Sequence, residues 1–194
     1  MLLTRPPDLI LADFGHFLAA RTPDGDYRVA QGGEKIHRSF LVSETGAQLL
    51  PWPDQGAPAA DGLECAAAGR CSYTAQGRRV AIVTGDTGLP VLCSTVDAIV
   101  AQVPAGFACR NQIPVVDRID TWRKGAVALW LDADGLTVAS ANESRGDRPW
   151  VPHPVSKRER ERAAAANRPA TPATAPAAEE PRDPAADTRF NQPD

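Results

Sequence analysis

Residues 126–141, Ala126-Val-Ala-Leu-Trp-Leu-Asp-Ala-Asp-Gly-Leu-Thr-Val-Ala-Ser-Ala141, decide the fold class. Two strand-length runs, Ala126–Leu131 and Leu136–Ala141, flank Asp132-Ala-Asp-Gly135, and Asp and Gly are residues that hairpin turns favour. Val127, Leu129 and Leu131 share one face of the first run, and Ala126, Ala128 and Trp130 share the other. Both faces are therefore expected to be covered. The same signature recurs upstream. Thr22-Pro-Asp-Gly25 separates Phe17–Arg21 from Asp26–Val29, and Ala75-Gln-Gly77 separates Cys71–Thr74 from Arg79–Thr84, which gives two further hairpins. Val80–Val83 is a continuous apolar run, as in a buried strand, and Asp97–Val103 is another strand candidate. The expected class is α+β, mostly β. Leu89–Val96 reads as a short helix that Pro90 confines to a first-turn position. Residues 30–60, with the short apolar piece Phe40–Val42 and then Pro51-Trp-Pro53, read as a long loop.

Composition divides the chain. Of 18 prolines among 194 residues, eight follow Trp150, where Phe190 is the only aromatic residue. Such a segment has too little apolar surface to offset chain entropy. Residues 1–152 are expected to hold the core, and residues 153–194 to form a short charged helix and a Pro/Ala-rich disordered tail. Ser156 and Glu159 have capping-box spacing, Lys157–Ala166 favours helix, and Asn167 and Pro169 end it. The net charge is −3, while the tail carries seven basic and seven acidic residues. That excludes a domain-wide cationic surface that binds nucleic acid by phosphate neutralisation alone. No apolar run approaches the roughly 18 residues of a membrane span. The opening Met1–Gly15, broken by Arg5, Pro6, Pro7 and Asp8, lacks the pattern of a signal peptide. The chain is expected to be soluble.

Candidates for chemistry are few. His16, His37 and His153 have no mutual metal-ligand spacing, and no nucleophile motif or phosphate-binding glycine loop occurs. No cofactor and no catalytic or metal-binding residue is expected. The acidic pairs Asp132/Asp134 and Asp117/Asp120 have structural uses that weigh against acid–base roles. The four cysteines, Cys65, Cys71, Cys93 and Cys109, allow two disulfides, a zinc site of unusual spacing, or buried thiols. In an oxidising compartment the expected pairing is Cys65 with Cys71, closing a turn over Ala66–Arg70, and Cys93 with Cys109, tying the ends of the Val96–Val103 region. Two basic-aromatic clusters remain: Trp122-Arg123-Lys124, and Arg145 and Arg148 with Trp150. Such residues contact phosphates and stack on bases. The blander expectation is that Trp150 plugs the end of the sheet while Arg145 and Arg148 pair with acids.

Four segments taken in order resemble the C-terminal region of ComEC-family competence proteins, most closely the alphaproteobacterial branch. They are Pro7–Leu11 with Ala19-Ala20-Arg21 and Asp24-Gly25; Cys65 and Gly69-Arg70-Cys71 leading to Val83-Thr84-Gly85-Asp86; Cys93, Val96–Val100, Pro104 and Cys109; and Val116-Asp117-Arg118, Trp122–Ala126, Leu129-Trp130-Leu131 and Arg145–Trp150. The resemblance spans about residues 6–152. It implies a shortened metallo-β-lactamase-like sheet domain of DNA uptake in natural transformation, associated with the inner membrane. Thr84-Gly85-Asp86 matches a step that supplies an aspartate ligand in that family. The family's H-x-H-x-D-H cluster has no counterpart, and Val103-Pro104-Ala105-Gly106 stands where two histidines are expected. The resemblance thus implies a degenerate, non-catalytic accessory domain without the family's membrane channel, which becomes its expected partner, together with single-stranded DNA. The rival expectations are a metal-dependent nuclease of the same family and a generic protein-interaction module.

Overall fold

The computed structural model describes residues 5–30, 32, 35–66, 69–85, 92–107, 109–146, 148–151, 154–155 and 157–166. The chain divides into two units, Met1–Val155 and Ser156–Asp194. The first is a pair of sheets. One has six strands in the order β11-β10-β1-β2-β3-β4, and the other has five in the order β5-β6-β7-β8-β9. These strands are β1 (Leu9–Ala12), β2 (Phe17–Arg21), β3 (Tyr27–Val29), β4 (Leu49–Pro51), β5 (Leu63–Ala66) and β6 (Arg70–Ala75). They continue with β7 (Arg78–Val83), β8 (Ala98–Ala101), β9 (Val115–Val116), β10 (Val127–Asp132) and β11 (Gly135–Ser140). The second unit contains a helix at Lys157–Ala166, with an exposed i,i+4 pair between Lys157 and Glu161 at 3.8 Å. The disorder expected of residues 167–194 lies outside the described residues.

The three expected hairpins form in register. Asp132 faces Gly135, Arg21 faces Tyr27 and Ala75 faces Arg78. In the last of these, Gln76 (φ 52°) and Gly77 (φ 76°) are both left-handed, the twist that joins two right-twisted strands most compactly. β1 lies at the centre of its sheet, antiparallel to both β2 and β10. The strand expected at Asp97–Val103 is β8, and it runs parallel to β7 and to β9.

Strand alternation explains the packing. Leu9 and Leu11 of β1, Leu18 of β2 and Leu129 of β10 face Val80 and Ile82 of β7 and Val100 of β8 in one contiguous core between the sheets. Each of these side chains is fully buried, and burial of that kind contributes about 1.5–3 kcal/mol per residue. The alternate residues point outward and are buried as well. Ala12, Phe17 and Ala19 are covered by Leu41 of helix α1 (Lys35–Thr45). Ala81, Val83, Ile99 and Ala101 are covered by Leu92, Val96, Ala105 and Cys109, which belong to connections rather than to strands. Residues 89–91 of the Leu89–Val96 helix expectation lie outside the described residues; residues 92–96 make a turn closed by Thr95 N–H to Leu92 O at 3.0 Å.

The long loop expected at residues 30–60 is corrected by α1 and β4. Leu41 is the one buried aliphatic residue of α1, while Ile36 and Phe40 are exposed. The apolar positions therefore do not form the single inward stripe by which an amphipathic helix is recognised. Gly46 (φ 69°) ends the helix, its N–H donating to Val42 O at 2.8 Å. β4 then lies parallel to β3, with Tyr27 opposite Leu49.

Both expected disulfides are present: Cys65–Cys71 with Cα atoms 4.0 Å apart, and Cys93–Cys109 at 5.2 Å. Cys65 and Cys71 face each other across β5 and β6. The sequence separations are 6 and 16, so loop closure predicts contributions of about 2 and about 3 kcal/mol. Denaturant unfolding of C65S/C71S and C93S/C109S should show the larger loss for the second pair. Equal or reversed losses would contradict this ranking.

Candidate functional site

The ends of β7 and β8 meet the turn between β1 and β2. Thr84 donates both its N–H and its Oγ1–H to Gly69 O, each at 2.9 Å. Gln102 N–H donates to Val83 O at 2.8 Å, and its Nε2 donates to Gly15 O at 2.8 Å. Gly15 is left-handed (φ 81°), and a Cβ there would lie 3.0 Å from Gln102 O. Glycine thus permits both the turn and the close approach. His16 is exposed, with its N–H donated to Asp13 O at 2.8 Å. His37 stacks on Phe17 with ring centroids 5.5 Å apart. His153 and Asp86 lie outside the described residues. Among the described residues no group of three His, Cys, Asp or Glu side chains is placed to hold a metal ion.

The Val103–Gly106 stretch is fixed instead by a carboxylate. Asp117 is the N-cap of helix α2 (Arg118–Lys124), and its Oδ1 accepts from Ile119 N–H at 2.8 Å and Asp120 N–H at 3.0 Å. Its Oδ2 accepts from Ala105 N–H at 2.8 Å and from Arg110 Nη2 at 2.7 Å. Asp120 returns the capping bond to Asp117 N–H and also accepts from Arg110 Nη2. The pair Asp117/Asp120 is therefore a capping box clamped by an arginine. Burial opposes the charge on Asp117, but the backbone bonds and Arg110 prevail and hold its pKa below the ordinary carboxylate value.

Asp97 is held low mainly by the Arg79 N–H, at 2.8 Å, with Arg78 Nη1 at 3.1 Å assisting. On the other sheet, buried Asp8 accepts from Leu131 N–H at 2.6 Å and from Arg5 Nη1 at 2.8 Å. Tyr27 donates to Pro7 O and Tyr73 to Arg21 O. Burial pushes the Tyr27 hydroxyl up to about 12 and raises that of Tyr73 as well.

The helix that carries Trp122–Lys124 touches the one that carries Arg145. Trp122, Arg123 and Lys124 form the end of α2, and Asn142 Nδ2 on helix α3 (Ala141–Arg145) donates to Arg123 O at 3.2 Å. Lys124 reaches Asp120 at 3.9 Å. The expectation that Trp150 plugs the sheet is corrected: its side chain is 72% exposed, with the Arg148 guanidinium carbon 5.7 Å from the ring centroid. Among the described residues Arg145 and Arg148 form no ion pair; Asp147, which lies between them, is outside the described residues. An exposed indole beside a guanidinium is chemically suited to a stacked base and its phosphate.

A cleft of about 810 Å³ opens where the two sheets part, beside the Pro51–Ala60 connection. Arg28, Arg38 and Arg70 line it with Trp52, and Asp54 is its one lining carboxylate among the described residues. Nothing in the local sequence announces it, because the three arginines come from β3, α1 and β6.

No family model, no curated protein and no solved structure matches this chain.

Asp117 gives a prediction with a definite sign. Its pKa is depressed in the folded state, so its contribution is present above the unfolded carboxylate value of about 3.9 and disappears as pH falls through the lower folded value. D117A should lose about 3 kcal/mol. Asparagine preserves the cap, so D117N should fold and lose less stability than the wild type on acidification below about pH 5. Denaturant titrations at several pH values measure this, and identical acid limbs would contradict it.

Proposed function

We propose that this chain is a non-catalytic accessory domain of a ComEC-type DNA uptake system, acting with the membrane channel that passes single-stranded DNA. The observation that carries the proposal is the fate of Val103–Gly106, the stretch that stands where the resembled family places two histidines. Here the Ala105 N–H is bonded to the buried Asp117 carboxylate, so the stretch serves packing. The order of the resembling segments and the covered double sheet agree with a shortened metallo-β-lactamase-like domain. Among the described residues no helix is long and apolar enough to cross a membrane; inner-membrane association would come through the channel protein. Trp122, Arg123, Lys124, Arg145, Arg148 and Trp150 supply the surface for DNA.

Deleting the gene should lower transformation frequency by orders of magnitude while leaving growth unchanged, and restoring it should recover transformation. Undiminished transformation would refute the assignment. The purified protein incubated with Mn²⁺ or Zn²⁺ should leave single- and double-stranded DNA intact; metal-dependent cleavage would establish the nuclease reading instead. In anisotropy titrations with a labelled single-stranded oligonucleotide, R145A/R148A should weaken binding and reduce its salt slope by about one for each phosphate that the variant no longer neutralises. Unchanged affinity and slope would show that DNA does not bind at this surface.

A further inference from the structure

We propose that β11 is a docking edge at which a second copy of this chain pairs antiparallel, joining the two six-stranded sheets into one. The inference is independent of the DNA uptake reading. β11 ends its sheet and bonds to β10 through alternate residues. Ala141 N–H donates to Ala126 O at 2.8 Å, whereas Leu129 O accepts from Asp8 N–H on the β1 side. Gly135, Thr137 and Ala139 therefore direct their backbone groups at β10, and Leu136, Val138 and Ser140 direct theirs outward. The outward groups of Ser140 are used by helix α3: Glu143 Oε2 accepts from its N–H, and the Ser144 hydroxyl donates to its carbonyl. Those of Leu136 and Val138 meet no partner among the described residues.

The other three terminal strands are blunted. β4 finishes in Pro51, which has no N–H, and Arg28 Nη1 donates to its carbonyl. β5 is covered by the connection before it, with Leu63 and Ala60 exchanging both backbone bonds and Gly56 N–H donating to Cys65 O. β9 has two residues, and Arg110 Nη1 donates to Val115 O. β11 has six residues, with no proline, no charge and no bulge in its register. It lacks the usual devices against edge pairing.

The free edge is self-complementary, which selects a second copy as its occupant. Leu136 and Val138 lie on either side of Thr137. A two-fold axis through Thr137 sets Leu136 opposite the partner's Val138, and Val138 opposite the partner's Leu136. Each of these pairs exchanges two N–H to O bonds, so every backbone group that β11 leaves open is used. A longer strand would gain nothing past Ser140, whose groups are already taken. The side chains agree with this pairing. Val138 is 39% exposed and Leu136 is partly buried, both on the face of Leu129 and Leu131, so pairing covers apolar surface on both copies. Thr137 meets the partner's Thr137, a favourable cross-strand pair, and the uncharged strand sets no like charges opposite each other. An interface built on one strand pair is at the small end of the range, so the dimer is expected to dissociate on dilution into the low micromolar range.

Sedimentation velocity of the full chain, from micromolar to millimolar concentration, is expected to show a monomer–dimer equilibrium. V138K places a charge on the edge and should raise the dissociation constant at least about tenfold, with circular dichroism verifying that the variant is folded. T137C tests the register whether or not V138K folds. All four native cysteines are disulfide-bonded, so the introduced thiol is the only free one. In oxidised glutathione T137C should form a covalent dimer, because the two-fold axis brings its two copies within disulfide reach. A139C should not, since its two copies would lie roughly 13 Å apart along the strands. A chain that stays monomeric at millimolar concentration would overturn the proposal. Wild-type association in folded V138K, or cross-linking of A139C equal to that of T137C, would show that the copies meet elsewhere and would overturn it as well.

Discussion

Burial of the central strands on both faces is the constraint on which the rest of the structure depends. Residues 80–83 and 98–101 have almost no solvent access, so their sheet needs an apolar layer on each side. The inner layer is the other sheet, supplied by β1, β2 and β10. The outer layer is supplied by the connections around β8, through Leu92, Val96, Ala105 and Cys109. Cys93–Cys109 joins the connection before β8 to the one after it. Asp117 then fixes the second connection through Ala105 and Arg110. The disulfide and the buried carboxylate thus fasten one covering layer.

The opposite sheet meets the same requirement differently. Its outer face is covered by α1, whose contribution centres on Leu41. Its end is closed by the polar arrangement at residues 5–8. Asp8 receives the Leu131 N–H, Arg5 donates to Leu131 O and Asp132, and the Trp130 indole donates to Arg5 O. Burial of an aspartate is tolerable there because backbone and guanidinium donors surround it.

The hairpins were legible in the sequence because each depends on chemistry within a few residues. Gln76-Gly77 and the Asp-Gly steps mark the turns, and alternation or an unbroken apolar run marks the strands beside them. Cys65 and Cys71 were legible in the same local way. Helix α1 was not, because Ile36 and Phe40 point outward while the buried face carries His37 and Leu41. β4 and β9 are short edge strands, defined by their neighbours in space more than by their own residues. The Asp117/Asp120 clamp was visible as a pair of acids, but its function depends on Ala105 and Arg110 arriving from another connection. The cleft required three separate elements to fold before Arg28, Arg38 and Arg70 could share one space. Exposure of Trp150 was missed because an indole is more often buried than left in solvent.

The layer over β7 and β8 is fastened by the Cys93–Cys109 disulfide and Asp117, independently of the sheet formed by β1, β2 and β10. Hydrogen exchange with mass-spectrometric readout, comparing wild type with C93S/C109S, tests it most directly. Faster exchange is expected in peptides covering residues 93–113 and in β8, with protection of β1, β2 and β10 retained. Equal loss of protection in every strand, or unchanged exchange throughout, would contradict it.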